Sequence, residues 1–178
     1  MRDHRGVSLV ELIVVMAIMA VLAGAGVSLF GTLTGAKVSE ASDKITAALS
    51  RTRTEALSRS DASFTLYQNT TDKRYYVDIY YTSSNAGGET ITEAVGASQL
   101  IIKYYDSTGA ENTINTTNSL KVKFDRSTGA IKPFVNSDGT VLTDTNGSEI
   151  VLKRILITSG DRNKNIQIFA LTGKYSVE

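Results

Sequence analysis

The chain of 178 residues has no cysteine, one histidine and one proline. Without cysteine, disulfide scaffolds, zinc–cysteine sites and thiol catalysis are excluded. The lone histidine, His4, lies almost at the N-terminus, so a histidine triad or a multi-histidine metal centre is excluded too. One proline beside 14 glycines argues against a disordered or fibrous chain. An excess of either charge is also missing. Nineteen Lys and Arg face eighteen Asp and Glu, a net charge of +1, which makes no case for a globally basic nucleic-acid binder or an acidic tail. There is no Walker A or G-x-G-x-x-G element, and no Ser–Lys motif stands beside a glycine-rich segment. No catalytic residue is assigned. Neither an enzymatic activity nor a cofactor or metal is expected.

The apolar residues are concentrated in one place. Residues 7–30 read VSLVELIVVMAIMAVLAGAGVSLF, and from Leu12 to Val27 no side chain is polar. A helix of that window would be about 36 Å long at 1.5 Å per residue, and a bilayer core needs roughly 20 such residues. The run is longer than the roughly 7–15 apolar residues of a secretory signal, and no polar segment with a small-residue cleavage site follows it. Glu11 interrupts it. An ionised carboxylate near a bilayer centre costs on the order of 2.5–3.5 kcal/mol on insertion scales, so a plain anchor has no use for it and a partner is implied. The preceding MRDHRG is short, basic and ends in Gly6. Cleavage after Gly6 would create an α-amino group on Val7, one helical turn from Glu11. An amine and a carboxylate of neighbouring subunits could then neutralise each other in an apolar bundle.

Arg5-Gly6-Val7-Ser8-Leu9-Val10-Glu11-Leu12, with the apolar continuation to Ala23, resembles the processing site of type IV prepilins and pseudopilins. The resemblance implies that a prepilin peptidase cuts between Gly6 and Val7, that the new amine of Val7 is methylated, and that Glu11 is the assembly charge ordering subunits in a helical filament. Val7 departs from the phenylalanine commonest at that position. Arg2 and Arg5 place the leader on the cytoplasmic side and the C-terminal part outside. Losing the leader would leave 17 basic and 17 acidic residues, a neutral subunit.

Gly24, Gly26, Gly31 and Gly35 follow, read either as close helix packing in a membrane or as a stretch softened for extension in a filament. From Val38 an amphipathic pattern begins. Val38, Ala41, Ile45, Ala48 or Leu49, Thr52 and Ala56 share a stripe, with Lys37, Glu40, Lys44, Arg51 and Glu55 on other faces and Glu40–Lys44 an i,i+4 pair. The spacing predicts one helix over about 8–60. After Ser60 the period becomes two. Phe64 with Leu66, then Tyr75, Val77, Ile79 and Tyr81, then Leu100, Ile102 and Tyr104, then Leu120, Val122 and Phe124 each share a strand face. EIVLKRILIT and NIQIFALTGKYSV supply two more strands. Turn chemistry lies between them, at Asn85-Ala86-Gly87-Gly88, Ser107-Thr108-Gly109, Ser127-Thr128-Gly129, Ser137-Asp138-Gly139, Asn146-Gly147 and Ser159-Gly160-Asp161.

The expected fold class is therefore α+β, a type IV pilin-like fold with a long N-terminal helix, membrane-spanning in its first half, packed on an antiparallel sheet or sandwich. Its parts are a leader at 1–6, a transmembrane and assembly half at 7–30, an amphipathic half at 31–60 and a β domain at 61–178. Three short motifs resemble the GspH/FimT-like branch: Arg53-Thr54-Glu55-Ala56-Leu57-Ser58-Arg59, Phe124-Asp125-Arg126-Ser127-Thr128-Gly129 and Leu171-Thr172-Gly173-Lys174-Tyr175. Asp138, Asp144, Asn146 and Glu149 could ligate calcium, but the EF-hand spacing is absent and turn formation explains them more simply. The tyrosine pairs 75/76, 80/81 and 104/105 should each put one ring in the core and one outside. The C-terminal TGKYSVE sets Lys174 against Glu178, so nucleic acid is not an expected partner.

The expectation is a structural minor pilin or pseudopilin of a type IV pilus or type II secretion-like filament. Its partners would be prepilin peptidase, other pilin or pseudopilin subunits, an inner-membrane assembly platform and the membrane itself. It would be a single-pass inner-membrane protein that later joins an extracellular or periplasmic filament. The alternatives are a major pilin of such a filament, or a filament-tip binding module acting as adhesin or DNA-uptake receptor.

Overall fold

The computed structural model describes residues 8–58, 61–83, 87–96 and 98–178, and for 23–34 and Ser83 the backbone alone. The described chain is α+β, with antiparallel sheets. Helix α1 runs Leu9–Ser58, about 75 Å at 1.5 Å per residue. Its second half is amphipathic as the spacing requires. Val38, Ala41, Ile45, Ala48, Leu49, Thr52 and Ala56 are all buried. Both members of the Ala48/Leu49 alternative lie inside, because a stripe at helical spacing is wider than one residue per turn. Ser42 and Thr46 also lie in it. Thr46 Oγ1 donates to the Ser42 carbonyl at 2.9 Å and Thr52 Oγ1 to that of Ala48 at 2.8 Å. A threonine can thus sit in an apolar stripe with its hydroxyl satisfied by its own helix. Lys44 Nζ reaches Glu40 Oε1 at 2.8 Å, the expected i,i+4 pair.

Among the described residues nine strands follow: β1 Ala62–Gln68, β2 Tyr75–Ser83, β3 Gly87–Gly96, β4 Ile101–Asp106, β5 Glu111–Thr113, β6 Leu120–Lys123, β7 Leu152–Ser159, β8 Arg162–Phe169 and β9 Lys174–Val177. They form two sheets, a four-stranded one in the order β3-β2-β1-β6 and a five-stranded one in the order β5-β4-β7-β8-β9. Every recorded pairing is antiparallel. The period-two reading holds except at Tyr104, which like Tyr105 is only half-buried: Phe64, Leu66, Tyr75, Val77, Ile79, Tyr81, Leu100, Ile102, Leu120, Val122 and Phe124 are buried. They join Leu152, Ile155, Ile157, Ile166 and Ile168 in one cluster with the helix stripe. Leu152 and Ile155 are an odd number apart yet both face inward. The register of β4 on β7 shifts between Tyr105 and Asp106, whose partners are Arg154 and Leu152, and this bulge re-aims the strand.

Three strand readings need correction. NIQIFALTGKYSV is not one strand but the hairpin β8–β9, turning through 170–173. β3 was not expected as a strand. Gly87 and Gly88, read as turn residues, begin it, while residues 84–86 lie outside the described residues. It is an edge strand exposed over most of its length, so it lacks the alternation that marks a half-buried one. The three-residue β5 is likewise an edge strand with no buried residue.

Ile45 is fully buried under both sheets' contribution to the core. Ile45→Ala is expected to lower stability by about 2–5 kcal/mol, measured by chemical denaturation of the full chain in detergent. The exposed Lys153→Ala should change it by less than about 0.5 kcal/mol. Equal effects from the two would show that the stripe is not the core contact.

Candidate functional site

The N-terminal residues expected to carry function fall on both sides of the described boundary. Gly6 and Val7 lie outside the described residues, and so does the leader before them. Glu11 is described, in the first turn of α1. The Leu12 N–H bonds the Ser8 carbonyl at 3.1 Å, which makes Ser8 the residue capping the helix. Glu11 is then the third helical position. Ser8-Leu9-Val10-Glu11 therefore has the S-x-x-E spacing of a capping box, a signal present in the sequence and not read from it. The positive end of the helix dipole also favours a carboxylate there, by about 0.3–1 kcal/mol. Glu11 is thus compatible with the helix start before any partner subunit is considered.

Around Glu11 the helix presents apolar side chains in every direction. Leu9, Val10, Leu12, Ile13, Val14, Val15, Met16, Ile18, Met19, Val21 and Leu22 are each 50–74 % exposed. A helix apolar on all sides needs an apolar surrounding that this chain does not itself provide. Among the described residues no helix is long and apolar enough to cross a membrane. The apolar run continues through 23–30, where side chains lie outside the description, as do those of Gly24, Gly26 and Gly31.

The opposite end of α1 brings together the three short motifs. Arg53 Nε donates to the Gly129 carbonyl at 3.1 Å. Ser50 Oγ and the Tyr175 hydroxyl are 2.8 Å apart. The Ile131 N–H bonds the Ala170 carbonyl at 2.7 Å, joining the second motif's loop to the C-terminal hairpin. Glycine is required at two of these positions. Gly129 has φ +69° and Gly173 φ +63°, and a Cβ on Gly173 would lie 1.9 Å from the Gly129 carbonyl oxygen. Asp125 holds the loop in shape. Its Oδ1 accepts from Ser127 Oγ at 2.6 Å and from Thr128 N, Thr128 Oγ1 and Ser127 N at 3.0 Å. The Ser127 hydroxyl above all, then the Thr128 and Ser127 donors, hold this carboxyl down at about 2. What the sequence shows as three separate fragments is one junction of helix end, loop and hairpin. Ser50, Arg53, Thr54, Lys174 and Tyr175 line a cleft of about 270 Å³ beside it.

The other candidates resolve locally. Asp144 Oδ1 accepts from Asn146 N and Ser148 N, each at 2.8 Å, and Asp138 Oδ1 from Thr140 N at 3.0 Å, so backbone donors already occupy these turn carboxylates. Among the described residues no group of three or more acidic or imidazole side chains is placed to hold a metal. Tyr75 and Tyr81 are buried while Tyr76 and Tyr80 are half-buried on the other face. Tyr76 stacks on Tyr67 at 6.1 Å, and the Arg154 guanidinium lies 3.8 Å from the Tyr105 ring centre.

Residues 1–27 match the family model of the prokaryotic N-terminal methylation motif. The match spans Gly6, Val7 and Glu11, and it supports the type IV prepilin-like superfamily, with processing by prepilin peptidase and assembly with other pilin subunits. The α+β chain with antiparallel sheets is compatible with a pilin-like fold. No curated protein and no solved structure matches the chain.

Two outcomes are expected at the junction. Gly173→Ala should destabilise more than Gly147→Ala in thermal melts. Both residues have positive φ, but only Gly173 has no room for a Cβ. The second concerns pH. The Asp125 carboxyl sits at about 2 in the folded chain against 3.8 ordinarily. Its contribution is therefore complete above 3.8 and is lost as pH falls through 2. Asp125→Ala should lower the melting temperature at neutral pH and flatten its fall between those two values. A variant with the unchanged acid slope would mean the carboxylate does not hold the loop.

Proposed function

We propose that this chain is a structural minor pilin or pseudopilin subunit, of the GspH/FimT-like kind, in a type IV pilus or type II secretion-like filament. The observation that carries the reading is the methylation-motif match over 1–27, with Glu11 in the first turn of a helix whose surrounding apolar side chains are all exposed. The subunit enters the inner membrane with its basic leader on the cytoplasmic side and its β-rich part outside. Prepilin peptidase cuts between Gly6 and Val7, and the amine of Val7 is methylated. Extraction into a filament then moves the apolar half of α1 from lipid to the company of identical or related helices.

In that bundle the Glu11 carboxylate meets the terminal amine of a neighbour. Each charge alone in an apolar bundle carries a large desolvation penalty, and pairing offsets it while setting the axial register between subunits. The capping-box spacing at Ser8 and Glu11 adds a local constraint, since it fixes where the helix begins relative to the new N-terminus. The role is non-enzymatic. The meeting of the three motifs at the end of α1 supports the GspH/FimT-like assignment, because all three then serve one structural unit.

Mass spectrometry of the membrane-extracted protein should find an N-terminus at methylated Val7. A start at Met1, or one beyond Ala23, would refute the processing step. Glu11→Ala should be cut normally yet fail to enter filaments, and Glu11→Gln should behave alike because it removes the charge while keeping the shape. Normal incorporation of Glu11→Gln would remove the charge-pairing role.

A further inference from the structure

A cavity of about 710 Å³ lies between the free edge of β6 and the segment that leaves it. β6 bonds β1 on one side. On its other side the chain returns antiparallel. Phe124 pairs with Ile131, and the Lys132 N–H bonds the Lys123 carbonyl at 2.9 Å. Continuing that register would set Lys121 opposite Phe134. The ladder stops before it reaches that pair. The Phe134 N–H goes instead to the Ile150 carbonyl at 2.8 Å, and its own carbonyl accepts from Leu142 N at 2.8 Å. Backbone groups two residues apart in a strand point the same way. As the Lys123 carbonyl faces away from β1, the N–H and C=O of Lys121 face away as well, into the opening left where Phe134 bonds Ile150 and Leu142 instead.

The charge of this opening is one-sided. Lys121, Lys123 and Lys132 line it, and all three are exposed. The acid in the lining is Asp106, which is buried, its Oδ1 taken by Thr108 N at 2.9 Å and Ala110 N at 3.2 Å. Lys123 reaches Asp61 at 3.4 Å with both side chains nearly half exposed, a pair worth little in water. Tyr104 and Phe134, ring centres 6.0 Å apart, give the groove an apolar wall. Lys121 and Lys123 alternate with the buried Leu120 and Val122, so their side chains leave one face of the strand about 7 Å apart, the two-residue repeat of a strand.

We propose that this groove takes an extended acidic peptide segment of a partner protein, added as a strand to β6. Its backbone completes the ladder at Lys121, where the chain's own pairing has ended. Acidic side chains on alternate residues match the lysine spacing, and an intervening apolar residue rests on Tyr104 and Phe134. Backbone bonds give such a complex affinity and the alternate side chains give it specificity. The proposal is independent of the N-terminal segment and of the filament reading.

The test uses the full chain in detergent and a fluorescein-labelled peptide of alternating valine and glutamate, followed by fluorescence anisotropy at low salt. Saturable binding is expected. Lys121→Glu combined with Lys132→Glu should weaken it at least about tenfold, while Lys153→Glu, on β7, should leave it unchanged, with thermal melts showing all variants folded. The same peptide N-methylated at alternate backbone amides, in either register, separates ladder formation from charge attraction. One of the two registers should bind at least about tenfold more weakly. Equal binding by the unmodified peptide and both methylated peptides would overturn strand addition. So would tighter binding of a single-stranded oligonucleotide of equal charge, an equal loss in the Lys153→Glu variant, or no binding of the acidic peptide at all.

Discussion

Seven residues of α1, from Val38 to Ala56, lie against apolar faces drawn from two sheets, and the folded part of the chain depends on that contact. Neither sheet alone could cover its own inward face, since each is a small antiparallel layer that needs a second layer to bury it. The helix supplies that layer to both. Three alanines in the stripe leave room for large strand residues such as Phe64 and Ile155. The hydroxyls of Thr46 and Thr52 are absorbed by the helix itself, whereas the buried Ser42 hydroxyl has no partner among the described residues.

The same helix meets a different condition in its first half. Between Leu9 and Leu22 its large apolar side chains are all at least half exposed, with no sheet among the described residues to receive them. One continuous helix thus joins a segment stabilised by its own chain to a segment that needs an external apolar surrounding. Rigid connection of the two fits a subunit whose anchor is also its assembly surface. A charge at Glu11 in such a segment is tolerable at the helix start, where the dipole favours it.

At the far end of α1 the anchoring is polar. The Arg53 side chain reaches across to the Gly129 carbonyl, and Gly129 is in turn crowded by Gly173. The helix end, the loop after β6 and the last hairpin therefore constrain one another. Beyond that loop, Phe134 bonds Ile150 and Leu142 rather than β6 and leaves the edge of one sheet unfinished beside three lysines. A tight junction and an open edge stand within ten residues of each other on the same connection.

Most of the elements were legible because their signals are local. The apolar run, the helical stripe and the strand alternations depend on which side chains must avoid water, and that is written residue by residue. Glu11 stood out because a carboxylate among aliphatic residues conflicts with its neighbours. The edge strands β3 and β5 escaped, since a strand held by backbone bonds and exposed on its surfaces needs no alternation of side chains. The hairpin within NIQIFALTGKYSV escaped because its turn, through Thr172-Gly173, lies between two apolar stretches of similar character. The sequence by itself determined the helix, its division into two halves, the alternating strands and the charged residue at the helix start. Only the tertiary structure decided that two sheets share one stripe, that three distant motifs form one junction, and that the edge of β6 stays open. Those depend on long-range pairing and on Phe134 bonding Ile150 and Leu142 instead of Lys121, and no local pattern of side chains encodes either.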